Sequence, residues 1–286
     1  MSFPIIKDLL REQAQLLKDK SADLAVLESR LLMGYVLNCT RADLILRADD
    51  AVSFDQAALF KSCVARRLQG EPISKICRHK EFWGMPFIVT LETLDPRPDT
   101  ETIVEAVLER AGLDQNLSVL DLGTGTGCIL LSVLSERPQA IGVGVDISDL
   151  ALDVAIQNAK ALGLSERAKF IQSSWAENVD GFYDIIVSNP PYIREDEYEN
   201  LSPDVKNYDP KIALVSGRDG LECYRKIAPA IYKHLAQNGF FAIEVGVDQE
   251  KDVACILKEH NLAVLDIRKD LAGIFRCIVG CKADDI

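Results

Sequence analysis

The chain has 286 residues, a formal net charge of −12, 48% hydrophobic residues and 27% charged residues. That length allows one large domain or two smaller ones, and the composition excludes disordered and collagen-like chains. The acidic balance disfavours a surface built to grip bare nucleic acid, and no apolar run reaches the roughly 18 residues of a membrane span.

In chain order, Met1-Ser2-Phe3-Pro4-Ile5 lacks a basic region ahead of an apolar core, so no secretory signal is expected. Residues 3–70 read as helices. Ile5, Ile6, Leu9, Leu10, Leu16 and Leu17 recur at helical spacing. Ser21 is the expected N-cap of a second helix carrying Leu24, Leu27, Leu31 and Leu32, and Thr40 is placed to open a third. Ser53-Phe54-Asp55-Gln56 has capping-box spacing before an apolar-striped segment ending near Gly70. No catalytic constellation occurs in this part, which reads as a small helical bundle for docking or support. It carries 13 Lys and Arg against 10 Asp and Glu over residues 1–80, whereas the remainder carries 19 against 34. The contrast fits two modules with different partners.

Phe82-Trp83-Gly84-Met85-Pro86-Phe87-Ile88-Val89 is aromatic and punctuated by Gly and Pro, which suits a hairpin. Asp95-Pro96-Arg97-Pro98-Asp99-Thr100-Glu101 then leads into a helix through Ile103, Val104 and Val107. The expected division is a helical module over 1–80, a hairpin connector over 81–100, and a catalytic domain over 101–286. From about residue 117 strands alternate with helices, the pattern of a parallel sheet covered on both faces. Strands are expected at 117–122, 140–146, 167–172, 183–188, 239–245, 262–268 and 274–280. Helices are expected near 127–136, 149–162, 220–237 and 249–259. The last two strands are linked too closely for a crossover helix, so one of them should run antiparallel. Seven strands with a final reversal define an α/β, Rossmann-like class I methyltransferase sheet rather than the six-stranded dinucleotide fold.

Two stretches of this sheet carry chemistry. Ser118-Val119-Leu120-Asp121-Leu122-Gly123-Thr124-Gly125-Thr126-Gly127 is a strand running into a glycine loop that opens a helix. Glycines let main chain approach a ligand, and the helix offers unpaired N–H groups. Nicotinamide enzymes use a similar loop, but Asp121 stands where a carboxylate can face a cationic amino-acid group rather than a pyrophosphate. Asp146 ends the next strand about 20 residues on, where an acidic side chain holds both ribose hydroxyls or else merely caps the following helix. A phosphate-free, positively charged ligand that fits is S-adenosylmethionine. Trp175, after the third strand, is placed either to stack on adenine or to fill the core.

The second stretch is Asn189-Pro190-Pro191-Tyr192, after the apolar run Tyr183-Asp184-Ile185-Ile186-Val187-Ser188. Consecutive prolines end the strand and leave Asn189 extended at its carboxyl end, where open α/β sheets bind ligands. Asn189 and the Pro190 carbonyl can accept the two N–H hydrogens of an amide or amine nitrogen.

With these motifs in this order, the chain resembles the HemK/PrmC family of peptide chain release factor glutamine methyltransferases over nearly its whole length. The resemblance extends to Gly70-Glu71-Pro72, Phe82-Trp83-Gly84-Met85-Pro86-Phe87, Arg97-Pro98-Asp99-Thr100-Glu101, Asp219-Gly220-Leu221, Glu244-Val245-Gly246 and Asp270-Leu271-Ala272-Gly273. It implies methyl transfer from S-adenosylmethionine to the side-chain amide nitrogen of a glutamine, in the GGQ motif of class I release factors. It further implies that the main chain of Gly123, Thr124, Gly125, Thr126 and Gly127 cradles the methionine part of the cofactor. Asp146 would hold the ribose, Trp175 would lie near the adenine, and Asn189 would stand between cofactor and substrate. Pro190, Pro191 and Tyr192 would complete the clamp, with Tyr192 as a wall. Ser174 replaces an acidic residue common in the family, Asp95 replaces an isoleucine, and Lys75 stands where an aromatic is usual.

Asn-Pro-Pro-Tyr is shared with adenine amino-methyltransferases, the alternative reading. Such an enzyme must grip phosphates and flip a base, which the acidic C-terminal part disfavours. His79, His234 and His260 are expected to be structural. The eight scattered cysteines form no CxxC pair, so reduced thiols in a cytoplasmic protein without a metal site are expected. A monomer is expected, and the Asp-, Glu-, Pro- and Tyr-rich segment 192–219, which shows no helical pattern, is the natural substrate-recognition element.

Overall fold

The computed structural model describes residues 3–18 and 23–286. Contacts divide it into two compact units, Met1–His79 and Lys80–Ile286.

Among the described residues the first unit holds five helices: α1 (Ile6–Leu17), α2 (Ala25–Leu37), α3 (Arg41–Leu46), α4 (Phe54–Leu68) and α5 (Ile73–Cys77). Ile6, Leu9, Leu17, Leu32, Phe60, Val64 and Ile76 form its core. Thr40 and Ser53 both complete capping boxes, with Asp43 and Gln56 as the answering side chains. Ser21 lies outside the described residues. The apolar stripe expected on α2 is not its buried face: Leu32 is buried, but Leu24, Leu27 and Leu31 are exposed. The buried face instead includes Glu28, whose carboxylate takes two hydrogen bonds from the Arg67 guanidinium of α4, at 2.7 and 3.0 Å. A buried charge is tolerated only with such a partner, and this pairing turns the helix away from its most apolar side.

The second unit opens on a hairpin, β1 (His79–Phe82) and β2 (Met85–Ile88). Trp83 and Gly84 make its two-residue turn with both φ angles positive, the backbone that matches strand twist. Phe82 and Phe87 meet edge to face at 6.1 Å and are buried. Trp83 N–H donates to Glu101 at 2.8 Å, and Ile88 N–H donates to the Asn158 side chain at 2.7 Å. The hairpin is thereby fixed to the helices behind the sheet.

Next come α6 (Glu101–Arg110), β3 (Ser118–Leu122), α7 (Cys128–Glu136), β4 (Ile141–Asp146), α8 (Asp149–Ala161), β5 (Ala168–Gln172) and β6 (Tyr183–Ser188). They are followed by α9 (Pro203–Tyr208), α10 (Glu222–His234), β7 (Leu235–Glu244), α11 (Glu250–Glu259), β8 (Leu262–Lys269) and β9 (Phe275–Lys282). The seven strands order as β5-β4-β3-β6-β7-β9-β8. The first five are parallel, and β9 runs antiparallel to both neighbours. The expected reversal is therefore at β9, and the fold is the class I methyltransferase sheet.

Strand alternation builds a core on each face. Val119, Ile185 and Val187 pack with Ile103, Val104 and Leu130 of α6 and α7 on one side. Leu120, Leu122, Ile186 and Ile243 pack with Tyr224, Ile227, Val253 and Leu257 of α10 and α11 on the other. The chain winds outward from β3 to β5, then returns to place β6 on the other side of β3. This creates a topological switch point, the place where such sheets bind ligands.

Two boundaries differ from expectation. β7 starts at Leu235, four residues early, across a register shift against β6, and α10 accordingly stops at His234. Segment 192–219 contains a short helix, α9, and 3₁₀ turns at Tyr198–Asn200 and Lys211–Ala213. None of these has a buried residue, so they carry no apolar stripe to betray them. No helix among the described residues is long and apolar enough to cross a membrane.

Candidate active site

The glycine loop begins where β3 ends. Gly123 and Thr124 N–H both donate to the Val145 carbonyl, at 2.9 and 2.8 Å, so the loop is drawn across the end of β4. Gly123, Gly125 and Gly127 all have positive φ, and a Cβ on Gly125 would project into open space. Gly127 is the N-cap of α7, and the Asn158 side chain donates to the Thr126 carbonyl at 2.9 Å. Removing that buried amide would strand several main-chain groups, at about 1–3 kcal/mol each.

Asp121 differs from its expected position. Its carboxylate is fully buried, accepts a hydrogen bond from Thr124 Oγ1 at 2.7 Å, and is absent from the cavity wall. Burial pushes it up to about 7, against the hydrogen bond from Thr124. Its other oxygen, Oδ1, is buried and has no hydrogen-bond partner among the described residues.

Asp146 ends β4, half-buried and on the cavity wall. Its two oxygens accept from Gly125 N–H at 2.9 Å and Ser148 N–H at 3.0 Å. Ser148, not Asp146, caps α8, so the capping alternative for Asp146 does not hold. Each carboxylate oxygen keeps a second lone pair for a hydroxyl. Trp175 takes positive φ and lays its ring 3.6 Å from where a Gly123 Cβ would stand. It touches the core through one edge and lines the cavity beside Ser173 and Ser174.

At the end of β6, Ser188 Oγ donates to the Leu122 carbonyl at 2.6 Å and locks this strand to β3. The Asn189 side chain follows, with Nδ2 donating to Thr100 Oγ1 at 3.0 Å. Thr100 Oγ1 in turn donates to Glu244 Oε2 at 2.6 Å. Glu244 is buried at the end of β7, and its other oxygen accepts from Tyr192 Oη at 3.4 Å. Because the Thr100 proton is used on Glu244, its oxygen accepts from the asparagine amide. This orients the amide, and among the described residues Asn189 Oδ1 accepts no hydrogen bond.

Several motifs of the sequence pack around the tetrapeptide. Gln249 Nε2 donates to the Tyr192 carbonyl at 3.1 Å, and Tyr224 Oη donates to the Glu244 carbonyl at 3.1 Å. The Tyr192 ring lies against Gly246, and a Cβ on Gly220 would stand 2.5 Å from the Tyr192 carbonyl. Asp270 accepts from Arg276 Nε at 3.2 Å, and Arg276 supplies the positive charge near Glu244.

All of this meets in one cavity of about 330 Å³. Gly123–Thr126, Asp146 and Trp175 form one side; Asn189, Pro191, Thr100, Arg97 and Glu92 form the other. Pro190, Tyr192, Gly127 and Asp121 are not among the cavity's lining residues. No histidine lines it, and among the described residues no cluster of His, Cys, Asp and Glu could hold a metal ion. Arg97 pairs with Asp209 at 2.6 Å, joining the connector to segment 193–217, whose ends are bridged at Ile193 and Val215. The loop side carries a carboxylate and an aromatic ring beside glycine main chain, a set that fits ribose hydroxyls and a base, so S-adenosylmethionine fits.

Thr100, Glu244, Gln249 and Arg276 had no assigned role in the sequence reading. The first two lay within recognised motifs, which was the available signal.

These features define a class I, S-adenosylmethionine-dependent methyltransferase. Solved structures share the fold: ribosomal protein L11 methylase from Lactobacillus delbrueckii subsp. bulgaricus superposes with a TM-score of 0.50 at 21% identity, covering 66% of this chain and 82% of that one. The 16S rRNA N2 G1207 methyltransferase of T. thermophilus, in complex with AdoMet and guanosine, gives 0.50 at 18%, covering 71% and 49%. Residues 8–77 match the PrmC N-terminal domain and 98–202 the methyltransferase small domain. The release factor glutamine methyltransferase of Rhodospirillum rubrum is 45% identical over 88% of this chain and 77% of its own length. That of Cereibacter sphaeroides is 39% identical over 95% and 96%. The chain belongs to the release factor glutamine methyltransferase family.

Proposed function

We infer that this protein transfers a methyl group from S-adenosylmethionine to the side-chain amide nitrogen of a glutamine, the one in the GGQ motif of class I peptide chain release factors. The observation that carries the reading is Asn189: its acceptor oxygen is turned away from Thr100, on a cavity shared with the glycine loop. Family membership supports a release factor as substrate.

When bound, the cofactor supplies an electrophilic methyl on a sulfonium. The main chain of Gly123 through Gly127 and the Asp146 carboxylate would hold it, with Trp175 near the adenine. Asn189 Oδ1 and the Pro190 carbonyl accept the two N–H hydrogens of the substrate amide. This directs the nitrogen into the cavity and favours the positive charge that develops on it. Tyr192, held by Glu244 and packed on Gly246, backs the clamp. Positioning supplies most of the acceleration, and the proton leaves after transfer without a histidine base.

Segment 192–219, fastened to Arg97 through Asp209, would recognise the protein substrate, and residues 1–80 would dock it. A monomer acting in the cytoplasm, without nucleic-acid binding, completes the reading. Incubation with methyl-labelled cofactor and, separately, a purified class I release factor, DNA and RNA tests it. Label on a single glutamine of the release factor is expected; label on nucleic acid with none on the factor would restore the adenine alternative.

A further inference from the structure

Thr100 closes the 3₁₀ turn Pro98–Thr100 that runs directly into α6, with helical φ and ψ of −67° and −20°. Here it makes no capping bond, is 2% exposed, and lies on the cavity wall. Its hydroxyl joins Glu244 Oε2 at 2.6 Å to Asn189 Nδ2 at 3.0 Å. The hydroxyl thereby links a buried carboxylate to the asparagine amide across three separate elements.

We propose that Thr100 and Glu244 are positioning residues of methyl transfer: the Glu244 carboxylate takes the Thr100 proton, which compels Asn189 to present its oxygen to the acceptor nitrogen. The proposal rests on the glutamine-amide reading above. A carboxylate only accepts, so the direction of both hydrogen bonds follows from its ionisation. Once protonated, the same carboxyl can donate to Thr100. The hydroxyl then donates toward Asn189, and the amide pairs best through Oδ1, leaving its NH₂ to face the substrate NH₂. That orientation repels the acceptor.

The groups facing this carboxyl are Arg276 and Cys277 from β9, Asp99 beside Thr100, Tyr192, Tyr224 from α10, and Cys128 from α7. Burial raises Glu244 to about 7, while Thr100, Arg276 and Tyr192 pull it down. Above that pH the carboxylate form prevails; below it the protonated form does. The methyl-transfer rate should therefore carry an acid limb with a midpoint near 7.

The test uses the full chain, methyl-labelled S-adenosylmethionine and a purified class I release factor. Thr100→Val removes the hydroxyl at constant shape, with Thr100→Ala as the smaller substitute should valine not fold. Loss of the hydroxyl is expected to lower kcat by about 10- to 100-fold. Affinity for S-adenosylmethionine by calorimetry should stay within about twofold, and Thr100→Ser should restore kcat to within about threefold, since positioning leaves the cofactor site intact. Glu244→Gln, whose amide oxygen accepts at every pH, should lose the acid limb. Wild-type kcat without the hydroxyl, equal damage in the serine and valine variants, or an acid limb that persists in Glu244→Gln would overturn the positioning role. A wild-type chain that methylates no release factor would instead overturn the substrate reading beneath it.

Discussion

At the scale of single residues, the site divides into side chains that meet ligands and side chains that aim them. In the proposed reaction Asp146 belongs to the first group. Its carboxylate, anchored by Gly125 and Ser148 N–H, has lone pairs left for vicinal hydroxyls on the cavity side. Asp146→Ala should weaken S-adenosylmethionine binding by about 10-fold or more, the loss of charge-assisted hydrogen bonds, as read by calorimetry. Unchanged affinity would remove it from the ribose role. The place of Asp146, Trp175 and Asn189 on the cavity wall was legible in the sequence because each ends or follows a strand at the carboxyl edge of the sheet. The burial of Asp121 off the cavity wall was not legible, because its position before the loop does not tell which side of the strand end its carboxylate takes. Thr100 and Glu244 were silent for another reason. Their function lies in bonds to partners 89 and 144 residues away in the chain, a distance at which local pattern carries no information.

Elements were read most reliably where periodicity is strong. All seven sheet strands were expected, because a strand buried on both faces is a continuous apolar run bounded by turn signals. β7 began early because the residues ahead of its register shift have no apolar pattern of their own. α2 exposed its leucines because an ion pair, Glu28 with Arg67, set its rotation, and a partner on another helix cannot be read from α2 alone. Segment 193–217 is a loop closed at its own base, fastened by Arg97 and Asp209, with short helices that bury nothing. Its position depends on close contact at Gly220, where φ is +74° and any Cβ would press on the Tyr192 carbonyl. Gly220→Ala should destabilise the protein by about 1–3 kcal/mol in a denaturant melt and lower kcat with it. A variant of wild-type stability and rate would show that this contact does not set the tetrapeptide's position.

For the whole molecule, the informative contrast is between a first unit with a slight excess of basic residues and an acidic second unit that contains the whole cavity. Deleting residues 1–80 should lower methylation of an intact release factor by about 10-fold or more, the loss of a docking interaction of roughly 1.4 kcal/mol. Methylation of a short glutamine peptide should be retained. Equal loss on both would assign the helical unit to stability, and no loss on either would leave it without a role in this reaction.

The most direct test of the account is Asn189→Ala, assayed with a purified class I release factor and, in parallel, by calorimetry with S-adenosylmethionine. The clamp predicts a fall in kcat of about 100-fold or more, comparable to removing a preorganised transition-state contact, with cofactor affinity within about twofold. Wild-type turnover in that variant would contradict it.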